Sequence, residues 1–276
     1  MSKADQIFIA NCRQILDHGY EQRDGATRPH WADGSSAYTK KCFGIVNRYD
    51  LQEEFPILTL RPINFKAAVD ELLWIWQKKS NRIADLNSRI WDSWAGPDGT
   101  IGKAYGYQLG VKHRYKEGLF DQVDRVLHDL KHNPQSRRIL TNMYTHADLH
   151  EMNLYPCAYS MTFNVVDNRL CAILNQRSQD MLVANSWNVT QYAVLVHLLA
   201  RVSGLEPGEF VHVIADAHIY DRHFPLVEQL ISSPDHPAPK LIIDPEIKDF
   251  YAFSPEHLTL ADYQHGASIG RIPVAI

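Results

Sequence analysis

Pro156-Cys157 and, further along, Gln176-Arg177-Ser178-Gln179-Asp180 are the stretches of this sequence best equipped for chemistry. The thiolate is the nucleophilic form of cysteine, and a nearby guanidinium favours it. Pro156 restricts the residue before it and can hold the turn that presents the sulfur. A lone cysteine is by default a small buried hydrophobe. An arginine at the end of an apolar strand is by default a surface charge, but Ser178 and Asp180 turn Arg177 into part of a donor-rich cluster suited to a phosphate and a ring. Trp187-Asn188 and Asp216-Ala217-His218-Ile219-Tyr220 follow. Together these clusters suggest chemistry on a nucleotide ring.

Glu71 is flanked by Leu72, Leu73, Trp74 and Trp76. Such a carboxylate lies either on a narrow wet face or is buried with a raised pKa, and the second case suits acid/base work or the ordering of a water. Ser136-Arg137-Arg138 is a second cationic point, which alone reads as a solvated junction between a helix and a strand. Asp216, His218 and His223 have the look of metal ligands, as do His146 and His150. However, the histidine pair lacks the glutamate of the zincin motif, and 14 histidines make chance pairs common. No metal is expected.

Helices and strands must bring these residues together. Apolar spacing predicts helices over 7–16, 65–77, 121–130 and 189–202, with Gly19, Pro134 and Gly204 as stops. Residues 23–38 read as a loop. Strands are predicted over 55–60, 138–144, 158–166, 170–175, 210–214, 241–243 and 250–253. Asp167-Asn168 is a hairpin turn between two of them. Strands and helices mix without a regular βαβ beat, so the expected class is α+β, with a mixed β-sheet covered by helices. No linker is visible, and 1–276 reads as one domain.

The chain has 276 residues, 45% hydrophobic and 22% charged, an ordinary globular composition able to bury a sizeable core. A net charge of -4 argues against bulk binding to DNA or a membrane. Cys12, Cys42, Cys157 and Cys171 make no CxxC pair, no signal peptide opens the chain, and no apolar run is long enough to span a bilayer. The expected location is a reducing cytoplasm.

The ordered set of motifs resembles thymidylate synthase over nearly the whole chain. It comprises Glu71-Leu72-Leu73-Trp74, Ile90-Trp91-Asp92-Ser93-Trp94, Ala104-Tyr105-Gly106, Ser136-Arg137-Arg138, Pro156-Cys157, the run from Gln176 to Asp180, Asn188, the run from Asp216 to Tyr220, and Pro273-Val274-Ala275-Ile276. The likeness is to a divergent bacterial branch. It implies that Cys157 adds to C6 of the uracil of dUMP, that C5 then attacks the methylene of 5,10-methylenetetrahydrofolate, and that hydride from the folate gives dTMP and dihydrofolate. The folate supplies both carbon and hydride.

The resemblance also implies roles. Arg28, Arg177 and Ser178 would hold the phosphate, with Arg137 and Arg138 donated by the other subunit of a homodimer. Arg177 would also lower the Cys157 pKa. Asn188 would read O4 and N3 of uracil, and His218 and Tyr220 the ribose hydroxyl. Glu71 would order water and assist proton transfer at O4, and Tyr105 would stand near the C5 proton. Trp91, Trp94, Asp180 and Ala184 would meet the folate, and Ala275 and Ile276 would close over it as a lid.

The chain departs from the family at several points. Ala158 stands where a histidine is common. Val183-Ala184-Asn185-Ser186-Trp187 replaces a Leu-Gly-x-Pro-Phe run, Ala215 replaces a glycine, and Arg28-Pro29-His30-Trp31-Ala32 replaces an Arg-Thr-Gly-Thr-Gly loop. These changes cluster on the folate side. They leave open a hydroxymethylase of the same fold, in which water rather than hydride traps the exocyclic methylene. Asn188 favours uracil, and the intact tail favours the water-excluding, methylating version.

Overall fold

Ser2 starts the first helix: its hydroxyl accepts from the Asp5 amide and caps α1 (Lys3–His18), which sinks Phe8, Cys12 and Ile15 into the core. In the computed structural model, which describes residues 1–23 and 28–276, α1 is followed by β1 (Tyr20–Gln22) and the long β2 (Thr39–Asp50). Asn64 caps α2 (Phe65–Trp76), a helix buried on nearly every side. Next come the short α3 (Gly106–Gly110), the hairpin β3 (His113–Tyr115) and β4 (Gly118–Phe120), and α4 (Gln122–His132) capped by Asp121. β5 (Ile139–Asn142), β6 (Ala158–Val166) and β7 (Arg169–Gln176) lead to β8 (Gln179–Asp180), α5 (Ser186–Ser203) and β9 (Glu206–Tyr220). The remaining elements are α6 (Phe224–Ile231), β10 (Lys240–Ile243) and β11 (Leu258–Ala261).

The main sheet runs β1-β2-β9-β7-β6-β5, with β8 pairing β9. All its neighbours are antiparallel except β7 and β8 on β9. Parallel neighbours need a crossover, and α5 supplies it between β7 and β9. α5 packs on β7, β9 and α2, and α1 packs on β2 and β9, so the core lies on one face of the sheet. The opposite face is readable from register. Arg48, Val211, Ile173, Thr162 and Leu140 sit side by side across five strands, next to a row of Val46, Val213, Asn175, Ser160 and Asn142. Val46, Ile173 and Leu140 in these rows are exposed.

Local signals were read correctly where they sufficed. The turn residues Asp167 and Asn168 both have positive φ, as a two-residue hairpin requires, and Gly204 ends α5 in the left-handed conformation. Two readings need correction, and one strand has no local signal. Residues 55–60 are buried but form no strand: the Thr59 amide donates to Asp5, the Leu58 carbonyl accepts from the Tyr263 hydroxyl, and the Thr59 carbonyl accepts from Gly266. Side chains and a distant loop satisfy a backbone that has no ladder. Residues 250–253 form a 3₁₀ turn over Phe250–Ala252, and the carbonyls of Phe250 and Phe253 accept from the Gln77 side chain. The 12-residue β2 was not anticipated, because Lys40, Lys41, Arg48 and Asp50 interrupt its apolar alternation.

Candidate active site

The β6–β7 hairpin sets the nucleophile beside its cation. Its register places Ala158 opposite Gln176, so Cys157 and Arg177 leave the ladder together, and the Arg177 amide donates 2.9 Å to the Cys157 carbonyl. Arg177 Nη2 lies 3.7 Å from Cys157 Sγ. The guanidinium is anchored by donating from Nε to Pro156 O at 3.0 Å and from Nη2 to Tyr155 O at 2.7 Å. Arg28 also bears on this spot, since its charge acts on both Cys157 and Tyr220. Burial pushes the Cys157 thiol up from its ordinary value, while Arg177, Tyr105 and Arg28 pull it down. In a single chain burial wins, so the net direction is the reverse of the lowering expected from Arg177 alone.

Tyr105 accepts from the Cys157 amide at 3.0 Å through its hydroxyl. It caps α3 in a positive-φ conformation, and Gly106 behind it packs so tightly that a Cβ would lie 2.3 Å from the Ser80 carbonyl. Its ring stands edge-on to Trp91, with centroids 5.2 Å apart, and burial raises its pKa well above the ordinary value. Trp91 in turn packs edge-on against the half-buried Trp94.

Glu71 is buried on α2 and its carboxylate accepts three donors. Trp91 Nε1 donates to Oε1 at 2.6 Å, Gln191 Nε2 donates to Oε2 at 2.8 Å, and Trp187 Nε1 donates to Oε2 as well. Of the two sequence readings, wet face or buried, burial is correct. Desolvation raises the Glu71 pKa, and the three donors oppose it. Trp187 and Gln191 were not assigned to Glu71 from the sequence. Nothing in the spacing of Trp187 and Asn188 points to a residue on another helix.

Asn188 lies at the start of α5 with its amide fixed: Oδ1 accepts from Gln176 and Gln179, and Nδ2 donates to Gln191. His218 and Tyr220 share one face of β9. His218 Nδ1 is 2.9 Å from Asp216, whose other oxygen pairs with Lys41 at 3.0 Å, and the His218 and Tyr220 rings meet edge-on. Asp216 is thus engaged, while His223 bonds the Pro273 carbonyl instead. Among the described residues no group of three or more His, Cys, Asp or Glu side chains converges as a metal site would require. Asp180 caps the π turn over Met181–Asn185 by accepting from the Leu182 and Val183 amides, with Ser178 and Ala184 half-buried nearby in the chain.

The C-terminal tail is pinned at two places. His30 and Ile276 exchange backbone hydrogen bonds of 2.8 and 3.0 Å, and His223 Nε2 donates to Pro273 O at 2.7 Å. Ala275 and Ile276 therefore lie against the segment that carries Arg28. Arg137 and Arg138 are not brought to the site. Both are exposed, and because Ile139 pairs with Phe163 while Asn142 pairs with Ser160, they sit at the far end of the β5–β6 ladder from Cys157.

The family model for thymidylate synthase matches residues 6–276. The chain belongs to the thymidylate synthase family. It is 44% identical over 271 residues to the thymidylate synthase of Bacillus licheniformis, covering 96% of this chain and 97% of that one. It is 42% identical to the thymidylate synthase of Clostridium beijerinckii, covering 98% of both. The solved structure of the thermostable thymidylate synthase A from Bacillus subtilis superposes with a TM-score of 0.94 at 39% identity, covering 99% of each chain. The α+β fold with its mixed sheet is that of the family. As a thymidylate synthase the chain is a methyltransferase: it converts dUMP to dTMP with 5,10-methylenetetrahydrofolate as cosubstrate and yields dihydrofolate. The hydroxymethylase alternative is not favoured, since these relatives are synthases. No described helix is long and apolar enough to cross a membrane.

Proposed function

We propose that residues 1–276 act as one catalytic domain in which Cys157 attacks C6 of dUMP and Arg177 steadies both the thiolate and the substrate phosphate. The 3.7 Å approach of Arg177 to Sγ carries this reading. Arg28 and Ser178 share the phosphate. Asn188 reads the uracil edge: a carboxamide both donates and accepts, matching O4 and N3–H. His218 and Tyr220 hold the ribose. Glu71 orders water and assists proton transfer at O4, and the Tyr105 hydroxyl, fixed beside Cys157, stands near the C5 proton. Trp91, Trp94, Asp180 and Ala184 form the folate side, and Ala275 and Ile276 close it against water.

The working unit is a homodimer. The open sheet face with Val46, Ile173 and Leu140 suits a second copy of the same face, an isologous pairing. Such a partner supplies Arg137 and Arg138 to the phosphate, which a single chain cannot do. It also adds the positive charge needed to bring the buried Cys157 thiol down. Four free cysteines support a reducing, cytoplasmic setting, and the net charge of -4 suits small-molecule partners better than DNA or membranes.

The test mixes the protein with dUMP and methylenetetrahydrofolate, follows dihydrofolate by absorbance and weighs the nucleotide product. A methyl group on the product, lost with Cys157→Ser, is the expected result. Covalent capture of 5-fluoro-dUMP and folate on Cys157 is expected in parallel; failure to capture overturns the assignment of the nucleophile.

A further inference from the structure

His212, Gln176, Asn188, Gln191 and Glu71 form one hydrogen-bonded row whose direction never reverses. Gln191 Nε2 donates to Glu71 Oε2 at 2.8 Å, and Asn188 Nδ2 donates to Gln191 Oε1 at 3.2 Å. Gln176 Nε2 donates to Asn188 Oδ1 at 3.1 Å. His212 Nε2 stands 2.8 Å from Gln176 Oε1. That oxygen can only accept, so Nε2 carries the proton. His212 is fully buried on β9, Gln176 is buried on β7, and Gln191 is buried on α5. Turning over any one amide would set oxygen against oxygen or N–H against N–H, and the buried Gln176 and Gln191 would lose partners they need.

We propose that Gln191 is a positioning residue that ties the pyrimidine-reading amide of Asn188 to the carboxylate of Glu71, whose oxygens only accept and so set the direction of the row, and that His212 secures its far end by holding the Gln176 carbonyl. The inference rests on the function proposed above. Uracil and cytosine present opposite donor and acceptor patterns at their 3 and 4 positions. An amide free to turn over would accept either ring. In the row, Asn188 Oδ1 is held by Gln176 and its Nδ2 by Gln191, so only one face of the amide pattern is offered. At the other end Gln191 completes the set of donors on Glu71 and donates also to the Ala68 carbonyl at 3.1 Å. The titratable groups bearing on Glu71 are Asp70 on its own helix and Tyr192 on α5, neither of which reaches Gln191 by a hydrogen bond among the described residues. The row therefore couples ring identity to the state of the carboxylate that acts on that ring.

Gln191→Met keeps the shape and removes all three side-chain hydrogen bonds, to Glu71, to Ala68 and from Asn188. His212→Leu breaks the row at the end remote from Glu71. The readouts are the dissociation constants of dUMP and dCMP, from quenching of tryptophan fluorescence, and the pH profile of kcat on dUMP. Both variants are expected to lower the dUMP preference over dCMP by about tenfold, the effect of one hydrogen bond. Only Gln191→Met is expected to move the profile limb belonging to Glu71 to higher pH, since it alone strips a donor from the carboxylate. An unchanged dUMP:dCMP ratio in folded His212→Leu overturns the proposal, even where Gln191→Met does not fold. So does a Gln191→Met profile identical to wild type. Wild-type protein that makes no dTMP would instead overturn the underlying function.

Discussion

Arg177 and Cys157 are joined twice. The backbone amide of Arg177 closes the hairpin on the Cys157 carbonyl at 2.9 Å, and its guanidinium returns to the sulfur at 3.7 Å. Nucleophile and cation are thus set by the same strand register, with no flexible segment between them.

Arg177→Ala should therefore leave the fold intact and raise the thiol pKa further, because burial would act with less opposition. A rise of about one to two pH units is the usual size for loss of an adjacent opposite charge. Iodoacetamide alkylation of Cys157 should then begin at correspondingly higher pH than in the wild type. An unshifted alkylation profile would show that Arg177 does not set the sulfur's charge.

Trp187→Phe keeps an aromatic ring but removes one of the three N–H donors on Glu71. The Glu71 pKa, already raised by burial, should rise further. kcat should fall by about tenfold, as for loss of one hydrogen bond to a charged group, with dUMP affinity unchanged. Steady-state kinetics beside direct dUMP titration separates the two effects.

If Arg138 serves the partner's site, neither Cys157→Ser nor Arg138→Ala is fully active alone, yet mixtures should recover. A mixed dimer holds one intact site, so random equal mixing should restore about a quarter of wild-type sites. Activity after subunit exchange measures this directly. Additive residual activity without recovery would place Arg138 in its own chain's site or in none.

Deleting Ile276 removes the backbone pairing with His30 that holds the tail. Dihydrofolate formation should drop by about a hundredfold or more, as expected when closure fails, while dUMP binding persists. His223→Ala should loosen the same tail at Pro273 and give a milder loss.

His197 is half-buried on α5 against Phe55, and desolvation pushes its pKa down to about 4. In the unfolded chain it takes up a proton near its ordinary value of 6.5. The unfolded state thus binds more protons between these values, and stability is full above pH 6.5 and declines as pH falls toward 4. His197→Phe should flatten this decline. Urea midpoints at pH 7.5 and 5 would measure it, and an equal drop in both proteins would remove His197 as the cause.

Much of this protein follows from its sequence alone. The β6–β7 hairpin was legible from its two-residue Asp167-Asn168 turn, but that turn alone would set Cys157 opposite Ser178; the register shift between Ala158 and Ser160, which no local pattern announces, brings it to Arg177. The helices were legible from apolar spacing and end residues such as Gly204. The motif order pointed to the family because it lists the reacting groups independently of their packing. What only the tertiary structure decided depends on contacts between distant segments. Burial of residues 55–60 without a ladder rests on Asp5, Tyr263 and Gly266. The choice between a wet and a buried Glu71 was made by α5 closing on α2. The row from His212 through Gln176, Asn188 and Gln191 to Glu71 spans four elements. No local pattern specifies it, because each amide's direction is fixed only by what the next one offers.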